Sequence, residues 1–354
     1  MILLWAGFIA LVVALLALDL GIFHRRAHAV SLREALFWSA IWITCGLLFS
    51  KFVYFGYEHH WFGLGTAADP VDRAMNDGGT AAVKYITGFV VEKSLSADNI
   101  FVIAMIFGFF GVPPVYQHRV LFWGILGALI MRGVMIAIGA TLVARFTWIL
   151  LVFGVFLIAT GLKMLFLRSE DVDPNRNIAV RLARRFFPVT SRFHGQHFLV
   201  RAGSKASHAG ALPGDEGTSD DAVERAKPGA LMLTPLAVAL VTVETSDVIF
   251  AVDSIPAIFA ITGDPFLVFT SNVFAILGLR ALFFVLAGMI DRFRYLKVSL
   301  SLVLVLVGVK MLIAKWLHRL LGEHFHIIVL VTVLGILAAG VLVSALDGRR
   351  RASA

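Results

Sequence analysis

Nine long apolar blocks constrain this chain more than any other feature. They run over roughly 2–23, 35–55, 82–110, 119–142, 147–167, 230–261, 266–289, 296–316 and 326–346. Each holds at least about 20 residues, enough for a helix to cross a hydrocarbon core of about 30 Å. Composition agrees: 59% of the residues are hydrophobic and only 15% are charged, against about 25% charged in soluble domains. The pattern predicts an all-α polytopic membrane protein with about nine transmembrane helices. The first block has no basic leader and no small-residue cleavage site, and it ends in Asp19 followed by "HRRAH". It therefore reads as a retained first helix rather than a signal peptide. The single cysteine, Cys45, can form no intrachain disulfide and reads as a packing residue.

The net charge of +8 lies in the connections between blocks. The positive-inside rule accounts for it without nucleic acid as a partner. With the N-terminus outside, 20 Lys and Arg fall on the inner side and 6 on the outer, counting those at span ends. That asymmetry predicts N-terminus out and C-terminus in, in a bacterial inner membrane. The one long connection, 168–229, falls on the inner side. Its middle, "IAVRLARRFFPVTSRFHGQHFLVR", is basic enough to form a short surface helix against anionic lipid. Its second part reads as a partly disordered linker. His194, His197 and His208 fall in this connection, but their spacing is too irregular to predict a metal site.

Strings on the two sides of that connection resemble one another. "SADNIFVIAMIFGFFGVP" (96–113) resembles "TSDVIFAVDSIPAIFAITGDP" (245–265). "GILGALIMRGVMIAIG" (124–139) resembles "AILGLRALFFVLAG" (275–288), and "VFGVFLIATGLKMLF" (152–166) resembles "LVLVLVGVKMLI" (302–313). The order is the same each time. Each copy holds three spans, so the second enters the membrane from the opposite side, as in the inverted repeats of secondary transporters. The expected organisation is two N-terminal helices within 1–55, a first three-helix repeat over 82–167, the basic loop 168–229, a second inverted three-helix repeat over 230–316 and a last helix over 326–346.

Carboxylates inside such spans are costly, so they mark function or pairing. The third span carries Glu92, Lys93, Ser94, Ser96, Asp98 and Asn99; the sixth carries Thr242, Glu244, Ser246, Asp247, Asp253 and Ser254. At about 100° per residue, Glu92, Ser96 and Asn99 share a face, with Asp98 turned away. Glu244, Asp247 and Ser254 share another, with Asp253 on the opposite side. Pro256 removes an amide hydrogen and excludes the carbonyl of Val252, so a break near Asp253 is expected. The break would free that carbonyl and could turn Asp253 toward the other acids. Five acids with hydroxyls, an amide and a freed carbonyl form an oxygen-rich set suited to hard divalent cations: Mg²⁺, Ca²⁺ or Mn²⁺. Crowded carboxylates would also allow proton exchange. The opposing reading is structural: the acids pair with Lys93, Arg132 and Arg280, although three cations do not neutralise five acids. Lys163 and Lys310 lie toward span ends and read as snorkelling side chains.

The strings "EKSLSADNIFV", "VETSDVIFAVDSIPAIFAIT", "TSNVFAILGLRALFF" and "GVKMLI" resemble those of the TerC family of integral membrane proteins, and within it the alkaline-induced Alx-type members. The resemblance covers nearly the whole chain. It implies manganese efflux, in a family named for tellurite resistance and placed among exporters built on inverted three-helix repeats. Some members supply metal to secreted metalloenzymes. Carried onto this chain, the motif acids are Glu92, Asp98, Glu244, Asp247 and Asp253, with Ser96, Asn99 and Ser254 as weaker candidates. The 168–229 loop is longer and more variable than the family pattern.

The sequence therefore predicts a non-enzymatic exporter of a divalent cation, Mn²⁺ first, with Ca²⁺ or Mg²⁺ as alternatives. The metal is the transported substrate, no cofactor is expected, and protons are the candidate counter-ion. The alternative is a membrane scaffold in metal or tellurite stress, with structural buried acids and function in the basic loop. Oxyanion transport conflicts with an acidic core. An intramembrane enzyme lacks any HExxH or GxSxG string.

Overall fold

A computed structural model describes residues 1–23, 31–146, 148–166, 178–204, 220–287, 296–321 and 325–352. Twelve helices carry almost all of it: α1 (Ile2–Phe23), α2 (Leu32–Glu58), α3 (Gly78–Phe110), α4 (Pro114–Arg145), α5 (Ile149–Phe166), α6 (Ile178–Phe186), α7 (Asp221–Arg225), α8 (Pro235–Phe259), α9 (Pro265–Leu277), α10 (Leu279–Ala287), α11 (Leu296–Leu321) and α12 (Phe325–Ala352). Two three-residue strands, β1 (Leu199–Arg201) and β2 (Leu231–Leu233), pair antiparallel with Leu199 opposite Leu233.

Seven helices among the described residues are long and apolar enough to cross a membrane: α1, α2, α3, α4, α5, α8 and α12. The pair α9 and α10 passes the same test together, bent by 45°. The ninth expected span falls on α11, whose apolar part, Val298–Ile313, is too short to pass that test, so seven or eight spans are seen among the described residues. The protein is thus an all-α, multi-pass membrane protein. Helix starts are set by local chemistry. Asp77 accepts the amide of Thr80 at 2.6 Å, and Thr234 caps α8 before Pro235. Pro114 and Pro265 occupy first-turn positions, where a missing amide hydrogen costs nothing. Gly111 ends α3 with φ 63°, a left-handed conformation that glycine adopts without strain.

The centre of the bundle is α3, α4, α8 and α9. α3 packs on α8 and α9, α4 packs on α8 and α9, and α5 packs along α11. The α5–α11 crossing is close because small residues line it. A Cβ added at Gly161 would meet the Ser301 carbonyl oxygen at 2.8 Å, and one at Gly308 would meet the Gly154 carbonyl oxygen at 2.8 Å.

Two polar layers lie at opposite ends of these helices. One is made by the 59–77 connection, the 260–264 turn and the start of α12. There Lys84, wholly buried, lies 2.9 Å from Asp69 Oδ2, 2.7 Å from Asp72 Oδ2 and 2.6 Å from Asn76 Oδ1. Asp69 also accepts the Thr262 hydroxyl at 2.5 Å and the Gly263 amide at 2.8 Å. His326 Nε2 reaches Asp72 at 3.2 Å. Burial alone would raise the Asp72 carboxyl, but His326 and Lys84 hold it well below the usual carboxylate range.

The other layer is the folded part of the long connection. Asp220 accepts the amides of Ser191, Arg192 and Ala222 and contacts His194 Nε2 at 3.2 Å. Burial opposes its ionisation, but these donors hold its carboxyl below the ordinary value. Arg119, at the start of α4, donates to Gln196 Oε1 at 2.8 Å and lies over the Phe198 ring. The expected surface helix is present as α6. The expectation of a disordered second part falls mainly on 205–219, outside the described residues.

Candidate functional site

The polar faces of α3 and α8 meet around one side chain of α4, Arg132, which is 2% exposed. Its guanidinium donates to Glu92 Oε1 on α3. It grips Asp247 on α8 with two bonds, Nε to Oδ2 at 3.2 Å and Nη2 to Oδ1 at 3.0 Å. Nη1 also lies 3.1 Å from Ser254 Oγ and 3.3 Å from Asn272 Oδ1 on α9. One planar fork therefore ties four helices together. Bidentate geometry of this kind is what distinguishes arginine from lysine. The neutral partners matter too, because a buried guanidinium needs most of its donors filled.

Capacity remains beside this node. Glu92 Oε2 and the hydroxyl of Ser96 are buried and have no hydrogen-bond partner. Asn99 is buried on the same face of α3. Glu244, one turn before Asp247, is seated against α4 at Gly127. A Cβ at that glycine would collide with the Glu244 carboxylate. Gly127 is therefore required for the carboxylate to lie where it does.

The side chain of Asp98 lies outside the described residues. Among the described residues, no three His, Cys, Asp or Glu side chains converge as they would around a metal ion. At the node the physical reason is visible: the guanidinium itself occupies the position between Glu92 and Asp247.

Several expectations need correction. α8 does not break at Pro256; it runs unbroken from Pro235 to Phe259. The proline lies close to the helix end, so its missing hydrogen bond falls in the last turn. Asp253 consequently stays on the opposite face and approaches α5, where Thr160 Oγ1 lies 3.4 Å from it. It does not join the Arg132 node. The break occurs in the next span, at Gly278 between α9 and α10. Lys93 is used there. Its ammonium donates to the Ala275 carbonyl at 2.9 Å rather than to a carboxylate, so a side chain satisfies a carbonyl at the bend. Arg280 pairs not with the acids of α3 or α8 but with Asp19 of α1, at 2.5 Å. Lys310 does not snorkel. It is 4% exposed and donates to the Ala260 carbonyl at 2.7 Å. Lys163 stays exposed.

Two participants went unnoticed in the sequence. Asn272 is a lone amide inside an apolar helix, which is a usable signal. Asp19 stood out only as the end of an apolar block.

Comparisons with known proteins fit this architecture. A family model described as "Integral membrane protein TerC family" matches residues 77–352. An uncharacterised membrane protein of Myxococcus xanthus is 45% identical over 346 residues, covering 98% of this chain and 93% of its own. A protein of Escherichia coli strain K12, named as a candidate membrane-bound redox modulator, Alx, is 41% identical over 337 residues, 94% of each chain. A similarly named protein of Salmonella typhi is 43% identical over 317 residues, 89% of this chain and 87% of its own. No solved structure matches. The match spans the node on α3, α4, α8 and α9 and most of the membrane bundle, and with it the chain belongs to the TerC family of integral membrane proteins.

Proposed function

We propose that this protein exports a divalent cation, Mn²⁺ first among the hard oxygen-seeking ions, from the cytoplasm across the bacterial inner membrane. The observation that carries this reading is the Arg132 node. Two carboxylates from different helices are gathered around a resident cation, with Glu92 Oε2 and the Ser96 hydroxyl unpartnered beside it. Arg132 pairs with both acids while no metal is present. A divalent ion takes over Glu92, Asp247 and the spare oxygens when the guanidinium withdraws. Glu244 and Asp98 are the further acids of the set, and protons are the counter-ion. Asp253, turned toward α5, takes no part in this first coordination.

Alternating access rests on the two matched halves, and the packing supports that reading. α3 on α9 and α4 on α8 are related pairs under the sequence match, as are the Gly161–Ser301 and Gly308–Gly154 contacts. If all nine expected spans cross with the N-terminus outside, as proposed, the Lys84 layer lies outside and the Asp220 layer in the cytoplasm. Asp247→Asn should raise cellular manganese under manganese load while the protein remains in the membrane. Unchanged manganese would sink the proposal. Metal-dependent proton flux in liposomes tests the coupling.

A second reading, a membrane scaffold, is favoured by the docking of the Asp220 layer onto α4 through Arg119. The relatives named for redox modulation belong with this reading. In this chain Cys45 is the only cysteine, so such a role would work without an internal disulfide. Deleting 205–219, which keeps Asp220, should abolish function under the scaffold reading and spare manganese export under the first.

A further inference from the structure

The short helix α6 has two apolar faces, and only one is used inside the molecule. Val180 and Ala183 pack against Leu233, Ala237 and Val238, the strand end and first turn of α8. On the other side Ile178, Leu182 and Phe186 recur every four residues and are 74%, 51% and 69% exposed. At about 100° per residue this stripe points well away from the packed face. Arg181 and Arg185, both exposed, run along its edge.

Position says what covers the stripe. α6 is fastened to the turn with which a membrane-spanning helix begins, so it stands at the height of the bilayer surface. An apolar stripe edged by arginine at that height matches the chemistry of an interfacial helix: apolar side chains at the acyl boundary, cations among the headgroups. A protein groove would also accept a stripe of this spacing, but the two arginines match an anionic lipid surface.

We propose that α6 is a membrane-interface anchor. Ile178, Leu182 and Phe186 enter the boundary of the bilayer around the bundle, and Arg181 and Arg185 bind anionic phospholipid headgroups. The anchor fixes the folded part of the long connection against the membrane at one end, while Arg119 fixes it to α4 at the other. The inference stands on the multi-pass fold and does not depend on which ion, if any, is transported.

The test uses the full chain in nanodiscs, with Cys45→Ser as background. An environment-sensitive dye is attached at Leu182→Cys or, as a control on α7, at Glu224→Cys. Discs are made of phosphatidylcholine alone or of equal parts phosphatidylcholine and phosphatidylglycerol, each doped with a lipid quencher. The Leu182 dye should be blue-shifted and quenched by the lipid quencher, more deeply in the anionic discs, while the Glu224 dye answers only to aqueous iodide. Each arginine near an anionic surface is worth about fivefold in partitioning, so Arg181→Glu with Arg185→Glu should strongly reduce the difference between the two lipids. Two outcomes overturn the proposal. One is a Leu182 dye quenched by iodide as readily as the Glu224 dye. The other is a blue shift that appears only as protein concentration rises, which would assign the stripe to a second copy of the chain.

Discussion

Lys84 and Arg132 are both buried cations set between two carboxylates, yet their surroundings differ. Around Lys84 the acids are held both by cations and by backbone amides. Asp69 receives the ammonium, the Thr262 hydroxyl and the amides of Val71 and Gly263. Asp72 accepts the amide of Ala74 at Oδ1, and its Oδ2 lies at ion-pair distance from the ammonium and His326 without a hydrogen bond to either. Backbone donors from irregular segments supply much of that, so the cluster forms only when those segments are in place. Around Arg132 every donor is a side chain on a helix, and one carboxylate oxygen and one hydroxyl have nothing to bind. A cluster whose acids each face a cation and backbone amides acts as a closure. An unsaturated one carries a standing cost of about 1–3 kcal/mol per unmet group, which an arriving ligand can remove.

That contrast can be broken by experiment. Lys84→Met should have the largest effect on stability, about 3–5 kcal/mol, because it leaves two buried carboxylates without their cation. A thermal unfolding midpoint in detergent close to that of the unaltered protein would show that Asp69 and Asp72 do not need the ammonium. Arg132→Lys should cost less, about 2–3 kcal/mol, since the charge survives and the fork is lost. Manganese export should nevertheless fall more steeply here than in any variant of the Lys84 cluster that folds. Equal losses in both places would erase the distinction.

Acid titration gives a finer comparison. A carboxyl whose folded value is depressed contributes stability that is present above its unfolded value, about 3.9 for Asp. The contribution is lost as pH falls toward the depressed folded value. The difference between the unaltered protein and Asp72→Asn, about 1–2 kcal/mol, should therefore be constant from neutral pH to near 5 and shrink only below about 4. A difference that grows as pH falls from 7 to 6 would mean that protonation of His326, not ionisation of Asp72, governs the contact. Ser96→Ala should not destabilise and should raise stability by about 1 kcal/mol, since it removes a buried hydroxyl that has no hydrogen bond to lose. It should still weaken the manganese response. A fully active alanine variant would remove Ser96 from the proposed coordination.

The two regions also differed in how much the sequence disclosed. The spans were legible because a run of about 20 apolar residues has few other solutions. The grouping of Glu92 with Ser96, and of Glu244 with Asp247 and Ser254, followed from helical spacing alone. Their link through Arg132 was foreseeable, since a mid-span arginine needs an acid. The Lys84 cluster was not. "ADPVDRAMNDGG" reads as a turn, and its partners Thr262 and Gly263 lie about 190 residues away along the chain. The helix break was assigned to Pro256 because proline is the stronger local signal. The fold placed it at Gly278, where a lysine from another helix binds a carbonyl near the bend. Local propensity cannot report a partner supplied by tertiary packing.

The glycine crossing of α5 and α11 has a consequence for how this molecule tolerates change. Gly161 faces the Ser301 carbonyl, and Gly308 faces the Gly154 carbonyl. The separation of the two helices is thus set at these points by main chain, with Val305 and Ile158 packed equally close beside it. Elsewhere in the bundle a larger side chain on one helix can be answered by a smaller one on its neighbour. Here no compensating substitution exists, because a carbonyl cannot be trimmed. Sequence drift should be quiet at Gly161 and Gly308 for a purely geometric reason, even though neither carries charge or touches the node.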